Sequence, residues 1–143
     1  MVEFTLCFVL LVVIAWIPAD FGMMFYTGHV GQNAAREGAR IASADTSLPG
    51  GMPLTCTVPC VGQPDLLERI GKRVAAGLMA NAGATTITLD STGAVSTCDK
   101  QVSVLVHQIY YPFFYKILRL MSFTVPDSVP MDRTVVMRYE HQC

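Results

Sequence analysis

The sequence has little charge. Of its 143 residues, only 15% are Asp, Glu, Lys or Arg, whereas 52% are hydrophobic and the mean hydropathy is +0.42. This balance excludes a disordered chain, which needs high charge and few apolar residues. The formal net charge is −1 and no basic run occurs. Nucleic-acid binding requires a basic surface, so it is excluded as well. The length is enough for one small domain with one small core.

Catalytic signatures are also missing. The sequence contains no G-x-S-x-G, no phosphate-binding loop and no H-E-x-x-H motif. Its three histidines are His29, His107 and His141, and none has a carboxylate or nucleophile at a spacing typical of a catalytic site. We therefore expect a protein that is not an enzyme and that needs no cofactor.

The N-terminal segment lacks charge almost completely. Residues 4–17 contain no Asp, Glu, Lys, Arg or His, and Asp20 is the only such residue in residues 4–28. A membrane-spanning helix needs about 20 apolar residues, so this segment is long enough. So small a domain could not surround such an apolar helix, and a secretory signal peptide would open with basic residues rather than Met-Val-Glu. We therefore predict a transmembrane helix, which Pro18 should bend or locally open.

The helical pattern continues beyond the apolar segment and becomes amphipathic. No proline interrupts residues 27–44, so we predict one helix over residues 3–44, about 60 Å long. Small residues recur on it at four-residue spacing, which lets another backbone approach closely. These predicted helix-packing residues are Ala34, Ala35, Gly38, Ala39 and Ala42. Arg36 and Arg40 lie on its polar side.

We predict that the remainder of the chain, residues 45–143, forms a small exported domain. Residues 45–64 are rich in Pro, Gly and Thr and predict an ordered loop. A helix then begins after Pro64 and ends by Gly83. Its apolar residues recur at intervals of four and are Leu66, Ile70, Val74 and Leu78.

Three strands are predicted after this helix, over residues 85–90, 101–110 and 133–141. Ser91-Thr92-Gly93 supplies a turn after the first of them, and Val102, Val104 and Val106 should face the helices from the middle one. The apolar connection 112–126 has a short helical character. It could belong to the core, or it could contact a membrane or a neighbouring subunit. The fold class is therefore α+β, with a sheet of three or more antiparallel strands.

Five cysteines indicate an oxidising compartment. Cys7 lies in the apolar helix, whereas the other four lie in the C-terminal domain and suit two disulfides. Three pairings are possible. If the last strand runs antiparallel beside the middle one, Cys143 returns to Cys98 and Cys56 pairs with Cys60. The spacing is not a usual zinc pattern and contains no C-x-x-C, so we expect neither a metal nor thiol redox chemistry.

Two acids lie in the apolar region, Glu3 and Asp20. At the bilayer centre each would cost about 2.5–3.5 kcal/mol, so a partner is expected. No Lys or Arg precedes Arg36, which leaves the α-amino group of residue 1, from the same chain or from a neighbouring one. Alternatively, Glu3 lies among the headgroups.

The orientation signals disagree. The positive-inside rule alone would place the C-terminal part in the cytoplasm, because no cation precedes Arg36. The cysteines place it outside. A basic leader that once preceded residue 1 and was removed would reconcile the two signals.

The N-terminal residues resemble a known family. Val2-Glu3-Phe4, Asp20-Phe21-Gly22 and the block 32–40 (QNAAREGAR) are similar to the TadE-like pilins and pseudopilins of tight-adherence (Tad, type IVc) pili. The resemblance covers about residues 2–42. It implies a prepilin of the bacterial inner membrane that a prepilin peptidase trims and an ATPase-driven machine assembles. Pilins generally carry an acid at the fifth mature position, whereas Glu3 lies two positions earlier. The family more usually has Glu where this chain has Asp20.

The apolar helix and its rows of small residues suit side-by-side packing, so in a protein with this resemblance we expect a structural subunit of an extracellular pilus. Residues 1–44 would span the membrane and then form the filament core, and residues 45–143 would form its surface. The expected partners are copies of itself, other pilins and the assembly machinery, and the expected role is adhesion. Glu3, Asp20, Arg36 and Arg40 are the predicted assembly residues. Two alternatives are a minor pseudopilin that primes or caps the fibre, and a single-pass membrane protein with an exported binding domain.

Overall fold

The fold was established from a computed structural model, which describes residues 2–46, 48, 52–77, 85–92, 99–120, 122 and 124–141. These residues contain three helices and four strands. In chain order they are α1 (Val2–Ser43), β1 (Leu54–Thr57), α2 (Asp65–Gly77), β2 (Thr86–Thr92), β3 (Gln101–Tyr110), α3 (Phe113–Leu120) and β4 (Val129–Arg138). The architecture is α+β, with a long N-terminal helix and an antiparallel sheet, as the sequence predicts.

Helix α1 is continuous through Pro18. Proline removes one backbone hydrogen bond, and a helix of 42 residues retains enough others to continue beyond it. The bend at this residue stays a prediction.

Contacts within the chain define two compact units. The helix unit comprises Met1–Thr27 and Tyr110–Val129, and the sheet unit comprises Gly28–Ile109 and Pro130–Cys143. This division does not coincide with the predicted boundary at residue 44, because α1 contributes to both units and the connection around α3 belongs with its first part.

The sheet has the strand order β1-β2-β3-β4. Strands β1 and β2 pair antiparallel with Cys56 opposite Ile87, and β2 pairs antiparallel with β3 so that Leu89 lies opposite Val104. The backbone N–H of Tyr139 donates to the carbonyl of Lys100 at 2.9 Å, which places the end of β4 beside the start of β3. The last strand therefore lies antiparallel beside the middle strand, as predicted.

The strand boundaries differ from the predicted ones in three places. Strand β1 lies within the segment that was expected to be a loop. Strand β2 continues through Ser91 and Thr92, where a turn was expected, because both residues pair with β3. Strand β4 begins at Val129 rather than at residue 133. Proline and aspartate near its start are tolerated because β4 is an edge strand.

The core of the sheet unit lies between the helices and one face of the sheet. Alternate residues of β3 are fully buried, and the three predicted to face the helices, Val102, Val104 and Val106, are among them. Leu67, Ile70 and Val74 of α2 pack in the same cluster. The helical periodicity of α2 is confirmed over the described residues, whereas Leu78 and Gly83 lie outside them.

Candidate assembly and membrane-insertion site

The N-terminal part of α1 exposes its apolar side chains. Phe4 is 77% exposed, and the residues from Leu6 to Ile14 that follow it are exposed as well. This helix is long and apolar enough to cross a membrane, and its most apolar stretch is not buried by any described part of the chain. Exposed apolar patches of this kind mark a surface that a membrane or another protein covers.

Asp20 interrupts this apolar surface, which continues beyond it at Phe21, Met23 and Phe25. Its side chain contacts a residue from β3. The hydroxyl of Tyr110 donates a hydrogen bond of 2.6 Å to the Asp20 carboxylate, and both side chains are half-buried within the helix unit. From the sequence, we expected a cation as the partner of this acid. Instead the structure provides a neutral hydroxyl of the same chain. A hydrogen bond to a charged acceptor is stronger than one between neutral groups.

Tyr110 was not identified from the sequence as a functional residue. It is 90 positions from Asp20, and its place at the end of a valine-rich strand gave no signal. Burial, together with the hydrogen bond to the Asp20 carboxylate and its negative charge, raises the pKa of Tyr110 to about 12. The hydroxyl therefore stays protonated, and able to donate, at every physiological pH.

A cavity of about 110 Å³ surrounds this hydrogen bond. Its wall is mainly apolar and is formed by Ile17, Asp20, Phe21, Met24, Tyr110, Pro112 and Tyr115. The start of α3 therefore packs against the middle of α1 inside the helix unit.

Glu3 is exposed near the N-terminal end of α1. Its expected partner, the α-amino group of residue 1, lies outside the described residues. No described cation lies within ion-pair distance of the Glu3 carboxylate, which leaves its pairing with a neighbouring chain a prediction.

The small residues of α1 pack inside their own chain. The buried side chains are Ala34, Ala35, Ala39 and Ala42, and all four belong to the core of the sheet unit. A Cβ added to Gly38 would lie 3.1 Å from Ile70 of α2 and 3.2 Å from Val104 of β3. The close approach that these residues permit is therefore to α2 and the sheet. Burial at these positions leaves no surface on this face for the helix of a neighbouring subunit.

The two arginines of the predicted assembly set differ in their surroundings. Arg40 donates to Glu37 at 2.9 Å, and Arg73 of α2 reaches the same carboxylate at 3.4 Å. Arg40 therefore belongs to an ion-pair network that connects α1 with α2. Arg36 is exposed and has no ion-pair partner among the described residues. Of the two, Arg36 is the one whose charge is available to another molecule.

Cys56 and Cys60 form a disulfide, and their Cα atoms are 5.3 Å apart. Helix α2 packs directly on it at Gly71, where an added Cβ would lie 2.6 Å from both the Cβ of Cys60 and the carbonyl oxygen of Pro59. Cys98 and Cys143 lie outside the described residues, so their pairing stays a prediction. Cys7 is an exposed free thiol in α1.

The described residues contain no cluster of metal-ligating side chains. Within the described ranges, no three His, Cys, Asp or Glu side chains lie close enough to hold a metal ion. His107 does contact a carboxylate, that of Asp132 on the neighbouring strand, which the sequence spacing did not reveal. His141 lies 3.0 Å from the carbonyl oxygen of Ala44.

Comparison with known proteins identifies the N-terminal segment alone. Residues 1–40 match the family model of TadE-like proteins. No curated protein and no solved structure matches the chain. The resemblance seen in the sequence is thus confirmed over the segment that carries it, which is most of α1. The first 40 residues are therefore similar to TadE-like proteins, and the helix that they form is long and apolar enough to cross a membrane.

Proposed function

We propose that the chain is a structural subunit of an extracellular Tad pilus and polymerises through the N-terminal part of α1. The observation that supports this proposal is the exposed apolar surface of that helix, in a chain whose first 40 residues match TadE-like proteins. Such a surface is stable in a bilayer before assembly. In a filament the same side chains would be covered by neighbouring helices, which exclude water equally well.

The partners in this proposal are copies of the same chain, with other pilins and the inner-membrane assembly machinery, including a prepilin peptidase. Glu3 would meet the α-amino group of a neighbouring chain. Arg36 would contact an acidic group of another subunit, because its charge is exposed and has no ion pair in the described part of the chain. The mature fibre would lie on the bacterial surface and serve attachment, and no catalytic step is involved.

A second candidate function is supported by the family match itself. TadE-like proteins are usually regarded as minor components, so the chain would then prime or cap a fibre built from another pilin. A single-pass membrane protein that never polymerises is the third possibility. Both alternatives use the same apolar helix, and they differ from the main proposal in how many copies the fibre contains.

Replacement of Asp20 by alanine tests the role of α1 in assembly. We expect Asp20→Ala to remove surface fibres while the chain is still found in the membrane, because the polar contact that fixes this part of the helix is lost. The matched control is Asp65→Ala, which removes an exposed carboxylate at the start of α2. Unchanged fibre yield with Asp20→Ala would contradict a role of Asp20 in assembly. Such a result would favour the non-polymerising alternative.

A further inference from the structure

Almost all aromatic residues belong to one part of the molecule. Every Phe, Tyr and Trp except Tyr139 belongs to the helix unit. Some of them lie on α1, among them Trp16 and Tyr26, and the others follow β3 within the segment around α3. Aromatic side chains concentrate where a protein crosses the boundary between hydrocarbon and headgroups. This distribution indicates that the segment around α3, and not α1 alone, belongs to the membrane-facing part of the chain.

The spacing of the two acids in α1 fixes the level of that boundary. Glu3 and Asp20 are separated by 17 residues, or about 26 Å of helix, which is close to the hydrocarbon thickness of a bilayer. A span between them therefore leaves one acid at each interface. Neither carboxylate then has to enter the hydrocarbon, which removes the cost of burying their charges.

Helix α3 lies at the same level as Asp20. Three residues of the segment that leads into α3 line a common cavity with Asp20 and its neighbours on α1, namely Tyr110, Pro112 and Tyr115. This segment is therefore attached to the end of the span at Asp20. Its position is therefore set by contacts within the helix unit. This arrangement holds α3 beside the headgroups whenever α1 spans a bilayer.

The outward face of α3 has the composition of an interfacial helix. Arg119 and Leu120 follow Lys116 at spacings of three and four residues, and all three are exposed, with Leu120 at 87%. Arg119 contacts the exposed carboxylate of Asp127, whereas Lys116 has no ion pair in the described part of the chain. Long cationic side chains beside an apolar residue suit a surface of anionic headgroups over acyl chains.

We propose that α3 lies in the headgroup layer of the membrane before assembly, with Lys116 and Arg119 on anionic phospholipid and Leu120 directed into the acyl region. The surface is continuous with the span, and its basic charge complements that of the lipid. Together with the Tyr110–Asp20 hydrogen bond, this second contact fixes the depth at which α1 is inserted. The inference rests on the membrane-inserted stage of the proposed function.

Fluorescence quenching by lipid tests this position directly, because Trp16 is the only tryptophan of the chain. The full chain is placed in vesicles of phosphatidylethanolamine and phosphatidylglycerol with brominated acyl chains. Leu120→Trp is prepared in a Trp16→Phe background. The matched control, in the same background, is Val61→Trp, which replaces an apolar residue of the sheet unit that is 74% exposed.

We expect the indole at position 120 to be quenched about as strongly as Trp16 in the natural chain and several-fold more than the indole at position 61. Equal quenching at positions 120 and 61 would overturn the proposal, whether α3 is solvated or covered by a second copy. If Trp16 itself is not quenched, the chain is not inserted, and both the membrane stage and this inference fall. Quenching of Trp16 without quenching at position 120 contradicts the role of α3 alone.

The contribution of charge is measured in the same system. Lys116→Gln combined with Arg119→Gln should lower the quenching at position 120, and vesicles that lack phosphatidylglycerol should lower it similarly. Lys72→Gln, on the exposed surface of α2, is the control and should leave it unchanged. Quenching that is insensitive to both changes would overturn the assignment of anionic lipid as the partner.

Discussion

Among the contacts of individual side chains, the hydrogen bond between Tyr110 and Asp20 explains most about how the helix unit is held together. It fixes a carboxylate within the apolar part of α1 by means of a side chain from the end of β3. The acid could be recognised from the sequence, because a charge within an apolar helix requires a polar environment. Its partner could not, because the strand topology brings the two residues together across 90 positions.

Removal of the Tyr110 hydroxyl should destabilise the helix unit. We expect Tyr110→Phe to lower the free energy of unfolding by about 1.5–3 kcal/mol, the range for a hydrogen bond to a charged group. Chemical denaturation in detergent micelles measures this change. Tyr111→Phe is the matched control, because Tyr111 is exposed, and it should change the stability by less than about 0.5 kcal/mol. Equal effects of the two variants would mean that the hydrogen bond contributes nothing.

The raised pKa of Tyr110 predicts a loss of stability in alkali. The folded chain keeps its Tyr110 proton up to a pH of about 12, whereas an unfolded tyrosine releases it near pH 10. The folded state therefore binds more protons between these values, and stability should fall as the pH rises through this window. Tyrosinate absorbance should show a phenol that titrates late in the natural chain. In Asp20→Asn that phenol should titrate earlier, and an identical titration would contradict the account.

Gly71 shows how one residue allows an element to pack. Helix α2 lies so close to the disulfide loop that a side chain at this position would overlap Cys60 and Pro59. We expect Gly71→Ala to lower the free energy of unfolding by about 1–3 kcal/mol, which is typical of overpacking. Gly22→Ala is the matched control, because an added Cβ there meets nothing within 4 Å. If both variants are equally stable, the α2 packing at Gly71 is looser than described.

At the scale of elements, the small residues of α1 illustrate what a sequence pattern can and cannot predict. Their four-residue spacing predicts a face that another backbone can approach closely. The pattern carries no information about which backbone that is. The structure places α2 and β3 there, through contacts at Gly38 and burial of Ala35 and Ala39. In the proposed filament, contacts between subunits would therefore use other surfaces of this helix.

An enlarged residue on this face separates intrachain from intersubunit packing. Ala39→Leu should lower the stability of the single chain in detergent by about 1–3 kcal/mol, because the site is fully buried within the sheet unit. Arg36→Ala, on the exposed side of the same helix, should leave stability within about 0.5 kcal/mol and reduce fibre yield. If Ala39→Leu is stable as a single chain and defective only in assembly, the small face contacts a neighbouring subunit after all.

The secondary structure was predictable where periodicity is strong. Helix α2 and strand β3 follow from the four-residue and two-residue spacing of their apolar residues. Strand β1 was not predictable, because it has only four residues in a segment rich in Pro and Gly and exists through its pairing with β2. The start of β4 was missed for a related reason, because Pro130 and Asp132 are uncommon in strands and are accepted here by an edge strand.

At the scale of the whole molecule, the chain combines an apolar helix unit with a sheet unit that has its own core. Aromatic residues and the exposed apolar surface are concentrated in the first, whereas the second carries most of the charged side chains. This separation suits a protein that moves from a bilayer to a fibre. In the proposed function, the apolar part is covered in both environments. The sheet unit has its own core and requires neither the bilayer nor the fibre to stay folded.

The central claim is that this chain builds the fibre, and the composition of the fibre tests it most directly. The measurement is electron microscopy of fibres sheared from the cell surface, with mass spectrometry of the same fibres. If this chain builds the fibre, we expect fibres composed chiefly of this chain. Fibres that contain it only in traces, while the membrane fraction holds most of it, would contradict the claim and identify the chain as an accessory pseudopilin.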